Sequence, residues 1–532
     1  MRNEIMEVEG MQEDEIMQDV QQQESWKEEA GGDRGGLRQL MAVGLSQKLW
    51  PAERVMVGST TCKWLRAQLL SSIQDVVLFA RASELAEPST TVRVSDRHAP
   101  SSSYCATSSP PCLSSSSSFS NSSSVSTSSS CPSSAITSTT SASTAVKTTL
   151  SRLTNRDHRV TLSWPKQNQS TLPALLQGLS LALEQYNFGA SLTELDLSST
   201  AMQARTAQKL SACLSHCSSL TRLDLQRNLL GAQGCAAVAH SLSHCRALRS
   251  LNLAGNSISA GGARQLAEVL GSCTALEELE LGSNWIGAEG AGSLADALAG
   301  CAGLRGLGLG SNFMGDEGVA RLATRLHTCP NLRRLDLSGN EMRAYGAEVL
   351  AVGLATCTTI TDLDLSGNKI LAQGAATMAV VLGQCKVLER LCLRGCNIGD
   401  DGVRSLSDAF SVLDRLAVLD LRTNLIGNEG VDQLASVLSG SKALQQLGLA
   451  MNHIGDEGAT QLAHFLPRST SLALLHLNVN QIRDLGAAEI AKALGTCAAL
   501  RELSLAENKL GAQGRQWLQQ ASLAHGRCHV TC

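Results

Sequence analysis

The sequence contains few aromatic residues, which make up 3% of its 532 residues. Proteins that bind RNA or single-stranded DNA stack bases on aromatic side chains, so this composition argues against a nucleic-acid partner. The net charge of −4 likewise gives no indication of nucleic acid or an anionic membrane as a partner. No apolar run is long enough to span a bilayer, and residues 1–10 are too polar for a signal peptide. We therefore expect no membrane partner and a cytoplasmic location, with nuclear or cytoskeletal association left open.

The sequence also lacks the motifs of common catalytic sites. It has no G-x-x-x-x-G-K-[ST] phosphate loop, no H-E-x-x-H zinc helix, no G-x-S-x-G nucleophile turn and no paired C-x-x-C motifs. Acidic residues are plentiful, but no neighbouring base or metal ligand singles one out. We predict that the protein is not an enzyme and that it uses no cofactor, metal or small-molecule substrate.

Cysteine is abundant, with 18 residues, but its placement argues against disulfides. Cysteines one repeat apart are expected to lie about 10 Å from each other, given usual helix–helix distances, which is too far for a bridge. We expect small buried apolar groups in a reducing compartment. Cys392 and Cys396 form a C-x-x-x-C pair without a nearby histidine, so zinc is the less favoured alternative. Eight cysteines share one repeat position: Cys217, Cys245, Cys273, Cys301, Cys329, Cys357, Cys385 and Cys497.

A strict repeat of 28 residues dominates the chain. The pattern is L-x-x-L-x-L-x-x-N, and only the repeat ending at Cys396 replaces the asparagine among the eleven regular ones. A period of this length indicates a solenoid of stacked units, none of which can bury its apolar face alone. The recurrent asparagines are Asn228, Asn256, Asn284, Asn312, Asn340, Asn368, Asn424, Asn452, Asn480 and Asn508.

One repeat contains the signals of both a strand and a helix. Leu279 and Leu281 alternate with polar residues, which predicts a strand with its leucines inward. Apolar residues at helical spacing across residues 291–298 predict a helix with one buried stripe. Gly290 marks the start of that helix, and a glycine recurs there in every regular repeat. We expect either a positive φ or a contact too close for a Cβ atom.

The asparagine follows the strand, where the chain leaves the sheet. Its side-chain amide is expected to satisfy backbone groups that lose their sheet partners there. Cys396 and, in the first unit, Thr200 replace the asparagine, so these two sites are predicted to be locally weaker or kinked. In the last unit Arg515, Gln519 and Ser522 replace apolar residues of the helix, which is typical of a terminal cap.

The 28-residue form, with its helix and cysteine, resembles the ribonuclease-inhibitor type of leucine-rich repeat over residues 191–520. It is similar to the repeat regions of nucleotide-binding leucine-rich-repeat receptors and of Ran GTPase-activating proteins. The resemblance implies an α/β horseshoe, with parallel strands on the concave face and helices on the convex face. It also implies protein partners on the concave face, and a small-GTPase regulator is one alternative function.

The region before the repeats divides by composition. We predict an acidic disordered tail over residues 1–36, a small helical segment over 37–85, a disordered Ser/Thr-rich linker over 86–156, and a capping unit over 157–190 before the repeat domain of 191–532. In the capping unit, residues 160–162 are expected to form a first strand and residues 172–183 a first helix. The segment from Trp50 to Arg66 resembles the latter half of an F-box, although its tryptophan follows the cysteine by two residues rather than three. This implies a second alternative, a substrate receptor of a ubiquitin ligase, with residues 45–70 docking an adaptor.

Side chains that flank the inward leucines are expected to face the concavity, where they form an acidic series with interspersed arginines. Such a surface suits a protein partner with basic groups, although solvation and cross-strand pairing explain part of it. Trp285 and Phe313 follow the asparagine position in adjacent repeats, beside Gly306, Gly308 and Gly310. They are candidate binding anchors, unless each only covers its own loop. The candidate protein-binding residues are Asp196, Arg222, Asp224, Glu280, Trp285, Phe313, Arg334, Asp336, Asp364, Arg390, Arg394, Asp420 and Arg422.

Overall fold

The computed structural model describes residues 192–532 in full. Before them it describes the backbone of three strands (residues 75–80, 90–96 and 158–163) and Leu176, which is helical and buried. All of these residues belong to one compact unit, residues 56–532. The predicted acidic tail, the F-box-like segment, and most of the predicted linker and capping unit lie outside the described residues.

One sheet runs through the described part of the chain, with its strands in sequence order from β1 to β16. Strands β3 to β16 pair in parallel, and equivalent repeat positions lie opposite each other, as Leu307 lies opposite Leu279 and Leu335. The bounds are β3 His158–Ser163, β4 Leu192–Asp196, β5 Arg222–Asp224, β6 Ser250–Asn252, β7 Glu278–Glu280, β8 Gly306–Gly308, β9 Arg334–Asp336, β10 Asp362–Asp364, β11 Arg390–Cys392, β12 Val418–Asp420, β13 Gln446–Gly448, β14 Leu474–His476, β15 Glu502–Ser504 and β16 His529–Thr531.

A helix follows each strand from β4 to β15 in the described residues, so the repeats form a solenoid of strand–helix units. Short 3₁₀ turns, Leu298–Gly300 and Leu326–Thr328, follow α4 and α5. The helices are α1 Ala204–Leu214, α2 Gly231–Leu242, α3 Ser259–Leu270, α4 Gly287–Ala297, α5 Gly315–Ala323, α6 Ala344–Leu354, α7 Leu371–Leu382, α8 Gly399–Val412, α9 Asn428–Leu438, α10 Asp456–Phe465, α11 Asp484–Leu494 and α12 Ala512–His525. No helix in this part of the chain is long and apolar enough to cross a membrane.

The first strand of the predicted capping unit is confirmed as β3, but two predictions upstream were wrong. Residues assigned to a helical segment form strand β1, Asp75–Ala80, and residues assigned to the linker form β2, Thr90–Asp96. These strands pair antiparallel with each other, and β2 pairs antiparallel with β3. The β-branched run at residues 76–77 and the alternation Thr91-Val92-Arg93-Val94 favour extended backbone, and the edge of a sheet supplies the partners.

The core consists of the repeat leucines, packed between the sheet and the helices. Leu332, Leu335 and Leu337 are each 0% exposed, and their counterparts in the other regular repeats are buried in the same way. Removing one such side chain should cost roughly 2–5 kcal/mol, because the stacked neighbours cannot collapse into the cavity.

The recurrent asparagines form a hydrogen-bonded series along the stack, which confirms their predicted role. The Asn340 side chain donates to the Leu309 carbonyl at 2.9 Å and to the Leu337 carbonyl at 3.0 Å. Its oxygen accepts from the backbone N–H of Asn312 at 3.0 Å. Each such asparagine therefore joins its own repeat to the preceding one, and the bonds are buried except at Asn508, where they are partly buried. We call this series the asparagine ladder.

The two substituted positions of the asparagine ladder keep part of its bonding. The Thr200 hydroxyl donates to the Leu197 carbonyl at 3.0 Å, and the Cys396 thiol donates to the Leu365 carbonyl at 3.2 Å. A hydroxyl or thiol has one hydrogen where the amide has two. The strand register passes through β10, β11 and β12 without a shift. Local weakness at these sites stays a prediction.

The recurrent glycine at the helix start is required by close packing rather than by a positive φ. A Cβ atom on Gly290 would lie 2.6 Å from the Ile286 side chain and 3.1 Å from the Cα atom of Ala260 in the preceding helix. Gly290 itself has ordinary helical backbone and is buried within α4. Glycine therefore lets adjacent helices approach closely.

The start of each helix from α2 to α12 is set by a residue of the preceding repeat, four positions after the ladder position. Where that residue is Asp or Asn, its side chain accepts from the next helix start, as Asp316 does from the backbone N–H groups of Arg343 at 2.7 Å and Gly346 at 3.0 Å. Asp400, Asn428, Asp456 and Asp484 act in the same way. We call these side chains cross-repeat caps.

Where the same residue is alanine, the next helix starts differently. The first residue of that helix, three positions after the asparagine of its own repeat, then has a positive φ. Its N–H donates to the backbone carbonyl of the asparagine one repeat further on, as Gly287 donates to Asn312 at 2.9 Å. Leu371 adopts this conformation with φ 60°, although such backbone favours glycine. Neither arrangement was predicted from the sequence.

The cysteines of the described residues are all free. Cys245 and Cys301 lie at helix ends, and their thiols approach the carbonyl oxygens of Leu214 and Leu270 at 3.4 Å and 3.5 Å. Burial raises the pKa of both thiols to about 12. They act as small buried groups that tie successive helix ends together.

The last helix, α12, exposes Arg515 and Gln519 to solvent, as expected for a terminal unit. Strand β16 follows it and pairs with β15, which the sequence analysis did not predict.

Candidate functional site

The candidate residues on the strands share one face of the sheet, opposite to the buried leucines. Two rows of side chains cross this face. The inner row consists of residues between the two leucines of each strand and contains Asp196, Asp224, Glu280, Asp336, Asp364 and Asp420. The outer row consists of residues directly before the first of these leucines and contains Arg222, Glu278, Arg334, Asp362 and Arg390. Strand pairing in register places equivalent residues next to each other. We call this surface the strand face.

Most aspartates of the inner row also have a structural task at the end of their strands. Asp336 and Asp364 each accept the backbone N–H of the residue two positions later, Ser338 or Ser366, at 2.9 Å. Asp196, Asp224 and Asp420 make the same contact. Such turns explain why short acidic side chains recur here, independently of any partner. The contact uses one carboxylate oxygen of each residue.

Ion pairs on the strand face use four of its five candidate arginines. Arg334 contacts Glu280 at 2.6 Å, and Arg390 contacts Asp362 at 3.2 Å. Arg422 forms an ion pair with Asp420 of its own repeat, and Arg222 lies 3.8 Å from Asp224. Arg394 is exposed and has no ion pair among residues 192–532. The structure therefore brings acidic and basic candidates together in pairs and leaves Arg394 apart from them.

The pair of Glu280 and Arg334 crosses a strand that has no side chains on this face. Gly306 and Gly308 of β8 lie between them, and a Cβ atom on Gly308 would lie 1.8 Å from the Glu280 carboxylate. Glu278 occupies the space above Gly306 in the same way. The glycines thus allow the two glutamates to lie flat over β8, where Glu280 reaches an arginine two repeats away.

Burial makes part of this acidic surface costly in its charged form. It raises the pKa of Glu278 and of Glu280 above the ordinary value, although nearby Arg334 lowers both. Burial also raises the pKa of Asp364, with the charges of Asp336 and Asp420 adding to the effect. These carboxylates have too little positive charge around them to offset their lost hydration.

Trp285 and Phe313 lie on the loops at the carboxyl ends of β7 and β8. Their exposed fractions are 63% and 56%, so more than half of each side chain is open to solvent. Both have a positive φ, 57° and 55°, which is unfavourable for a bulky residue. Ser257 and Asn397 adopt the same backbone at this repeat position. The tryptophan and phenylalanine therefore remain exposed and strained where smaller residues fit.

Other apolar residues of the loops were missed by the sequence analysis. Leu229 and Leu425 stand at the same repeat position as Trp285 and are 58% and 53% exposed. Their shared register with the aromatic residues is the signal that could have identified them. We call the series of residues that follow the ladder position the rim row.

The titratable side chains of residues 192–532 are not gathered into a metal site. This part of the chain contains no group of three or more His, Cys, Asp or Glu residues placed to hold a metal ion. Cys392 lies half-buried on the strand face, whereas Cys396 is buried in the asparagine ladder. Burial lowers the pKa of His476 on β14, which leaves it neutral near pH 7. The site offers charge, hydrogen bonds and apolar area, which are the elements of a binding surface.

A comparison with protein families identifies the repeat. A family model described as "Leucine Rich repeat" matches seven segments: residues 216–239, 244–267, 272–295, 328–351, 356–379, 384–407 and 441–463. These segments cover most of β5 to α10 in the structure. No curated protein matches the sequence.

Several solved structures are similar at low sequence identity. The yeast Rad7 and Elc1 complex matches at 17% identity over 70% of this chain and 90% of that chain, with a TM-score of 0.44. An internalin of Listeria monocytogenes matches at 17% identity over 67% and 93%, with a TM-score of 0.40. A leucine-rich-repeat protein of Leptospira interrogans matches at 16% identity over 66% and 98%, with a TM-score of 0.38. The matched segments and the parallel sheet establish that this chain carries leucine-rich repeats, folded as a solenoid of alternating strands and helices.

Proposed function

We propose that the protein is a non-enzymatic scaffold that binds another protein on its strand face and rim row. The observation that carries the proposal is the pair of exposed aromatic side chains, Trp285 and Phe313, beside the strand face. Aromatic residues are rare in this chain, and exposed ones are enriched at the energetic centres of protein interfaces. The 28-residue period, with a helix in each unit, supports the ribonuclease-inhibitor type of repeat.

The backbone of the rim row adds a second argument. Trp285 and Phe313 retain a left-handed conformation that Ser257 and Asn397 adopt at lower steric cost. Strain kept at an exposed position, with no burial in return, is typical of residues maintained for binding. Glu341 and Leu425 adopt the same conformation at this position, whereas Leu229 and Lys369 are not among the positive-φ residues, so the repeat does not require it everywhere.

The test is affinity purification from cells with the full chain and a Trp285→Ala variant. Tyr345→Ala is a matched control, because Tyr345 is also 63% exposed but lies at the start of α6, on the helix side. We expect Trp285→Ala to lose the partners that the unchanged chain and Tyr345→Ala retain. Denaturation in urea should give the same midpoint for all three proteins.

The opposite pattern would contradict the proposal. If Trp285→Ala lowers the urea midpoint and keeps every partner, the tryptophan serves its own loop. A Trp285→Asn variant separates the two effects, because asparagine tolerates the positive φ of this position.

Both alternative functions have direct tests in the full chain. Deletion of residues 45–70 removes the proposed adaptor-docking segment, and loss of a co-purifying ubiquitin-ligase adaptor would favour a substrate receptor. Acceleration of GTP hydrolysis by the full chain, measured with purified small GTPases, would favour a GTPase regulator.

A further inference from the structure

A strip without large side chains lies between the inner row of the strand face and the rim row. It consists of the residues that follow the second leucine on β6 to β10: Ala254, Gly282, Gly310, Ser338 and Ser366. Larger residues occupy the same register position on both sides, Gln226 on β5 and Arg394 on β11. We call this strip the small-residue lane. At about 4.8 Å per strand it is roughly 19 Å long, the length of about six extended residues.

The two walls of the lane differ in chemistry. The inner row beside it contains Glu280, Asp336 and Asp364 and has no basic residue on β6 to β10. The rim row follows the lane on the loop side, and its Trp285 and Phe313 are exposed. An occupant therefore meets carboxylates on one side and aromatic rings on the other.

The charge of these strands indicates which occupant fits. On β6 to β10 the inner and outer rows hold five acidic residues, Glu278, Glu280, Asp336, Asp362 and Asp364, against the single base Arg334. Arg334 contacts Glu280, and the charge of Asp362 is met by Arg390 of the next strand. Asp336 and Asp364 accept hydrogen bonds from Ser338 and Ser366 in their own turns and form no ion pair among residues 192–532. Cationic side chains on a partner would supply the missing charge.

We propose that the small-residue lane is the docking groove for an extended, lysine- or arginine-bearing segment of a partner protein, whose apolar side chains contact Trp285 and Phe313. The inference rests on the proposed function and adds the chemistry of the partner. The raised pKa values of Glu278, Glu280 and Asp364 agree with it, because a bound cation would stabilise their charged forms.

The probe is a displayed library of random octapeptides, selected on the full chain and followed by fluorescence anisotropy of the enriched peptides. We expect enriched peptides to combine basic residues with an aromatic or aliphatic residue. Ala254→Gln, which fills the lane with a residue that β5 already carries at this register, should weaken binding roughly tenfold. Ala506→Gln is the control, because Ala506 occupies the same register on β15 and is likewise half-buried.

Three results would overturn the groove: recovery of no peptide, enrichment of neutral or acidic peptides, or equal effects of Ala254→Gln and Ala506→Gln. Binding should also weaken with added salt and in Asp364→Asn, since the contacts are ionic. A Trp285→Asn variant distinguishes failure of the basic-segment proposal from failure of the proposed protein-binding function. If neutral peptides bind and Trp285→Asn abolishes that binding, the rim function survives and the basic segment does not. If Trp285→Asn changes nothing, both proposals fail.

Discussion

Replacing one cross-repeat cap tests how neighbouring repeats determine each other's helix starts. In Asp316→Ala the backbone N–H groups of Arg343 and Gly346 lose an acceptor that now lies 2.7 Å and 3.0 Å away. Loss of a helix cap usually costs about 0.5–2 kcal/mol. The helix could instead adopt the start found after alanine, in which the third residue has a positive φ, but Arg343 would then pay about 1–2 kcal/mol for left-handed backbone. We expect a total loss of about 1–2 kcal/mol, set by the cheaper of the two routes.

The same reasoning predicts that the cost depends on the next repeat. Asp316 and Asp456 cap helices whose start residue is an arginine, Arg343 or Arg483. Asp484 caps a helix that starts after Gly511, and glycine changes conformation at little cost. Alanine at Asp316 or Asp456 should therefore destabilise the array more than alanine at Asp484.

Urea denaturation followed by circular dichroism measures these differences. Asp401→Ala is a matched control, because Asp401 is a first-turn aspartate of α8 that pairs only across its own helix with Arg404. The double variant Asp316→Ala with Arg343→Gly should recover most of the loss, since glycine permits the alternative start. Failure of that rescue, or an equal effect of Asp401→Ala, would refute the reasoning.

Three further predictions concern the ladder, the strand face and the helix starts. In urea denaturation, Asn340→Ala should lower the free energy of unfolding by more than about 3 kcal/mol, because it leaves several buried backbone groups unpaired. Cys396→Asn should raise it by about 1 kcal/mol, because the amide adds a second donor. A change of the same sign and size in the two variants would contradict the role of the asparagine ladder. Asp364→Asn should raise the urea midpoint at pH 7, where burial destabilises the charged carboxylate. Because the pKa of Asp364 is raised in the folded state, this destabilisation disappears as the pH falls through the raised pKa toward the ordinary value of about 3.9. A difference in urea midpoint between the variant and the unchanged protein that grows on acidification would contradict the assignment. Leu371→Gly should leave stability unchanged or raise it by up to about 1 kcal/mol, because the left-handed backbone no longer opposes a side chain; a clear loss, measured in the same way, would show that the partly exposed leucine packs usefully.

The repeat pattern was sufficient to predict the architecture because it contains two periodicities in fixed order. Leu279 and Leu281 alternate as in a strand, and the apolar residues from 291 to 298 recur as in a helix, so both elements formed where predicted. The upstream strands β1 and β2 pair with each other across a short connection, but they join the sheet only through β2, which pairs with β3 across more than sixty residues. Short segments whose pairing is non-local carry little local signal.

The candidate site was predicted only in its position. The sequence identified which residues of each strand share a face, because side chains alternate along a strand with period two. It did not reveal that Asp336 and Asp364 close turns at the strand ends, nor that Glu280 reaches Arg334 over the glycines of β8. Both arrangements depend on distances between repeats, which a pattern within one repeat does not contain.

The sequence by itself determined the unit, the period and the buried leucines, because burial must recur wherever identical units stack. It also determined the place of the asparagine ladder, since a fixed interval puts every amide against the backbone of its neighbour. Only the tertiary structure decided how each helix begins, because that depends on whether the preceding repeat offers Asp316 or an alanine such as Ala288. The exposure of Trp285 and Phe313 was also visible only in the tertiary structure, because it depends on how the repeats stack.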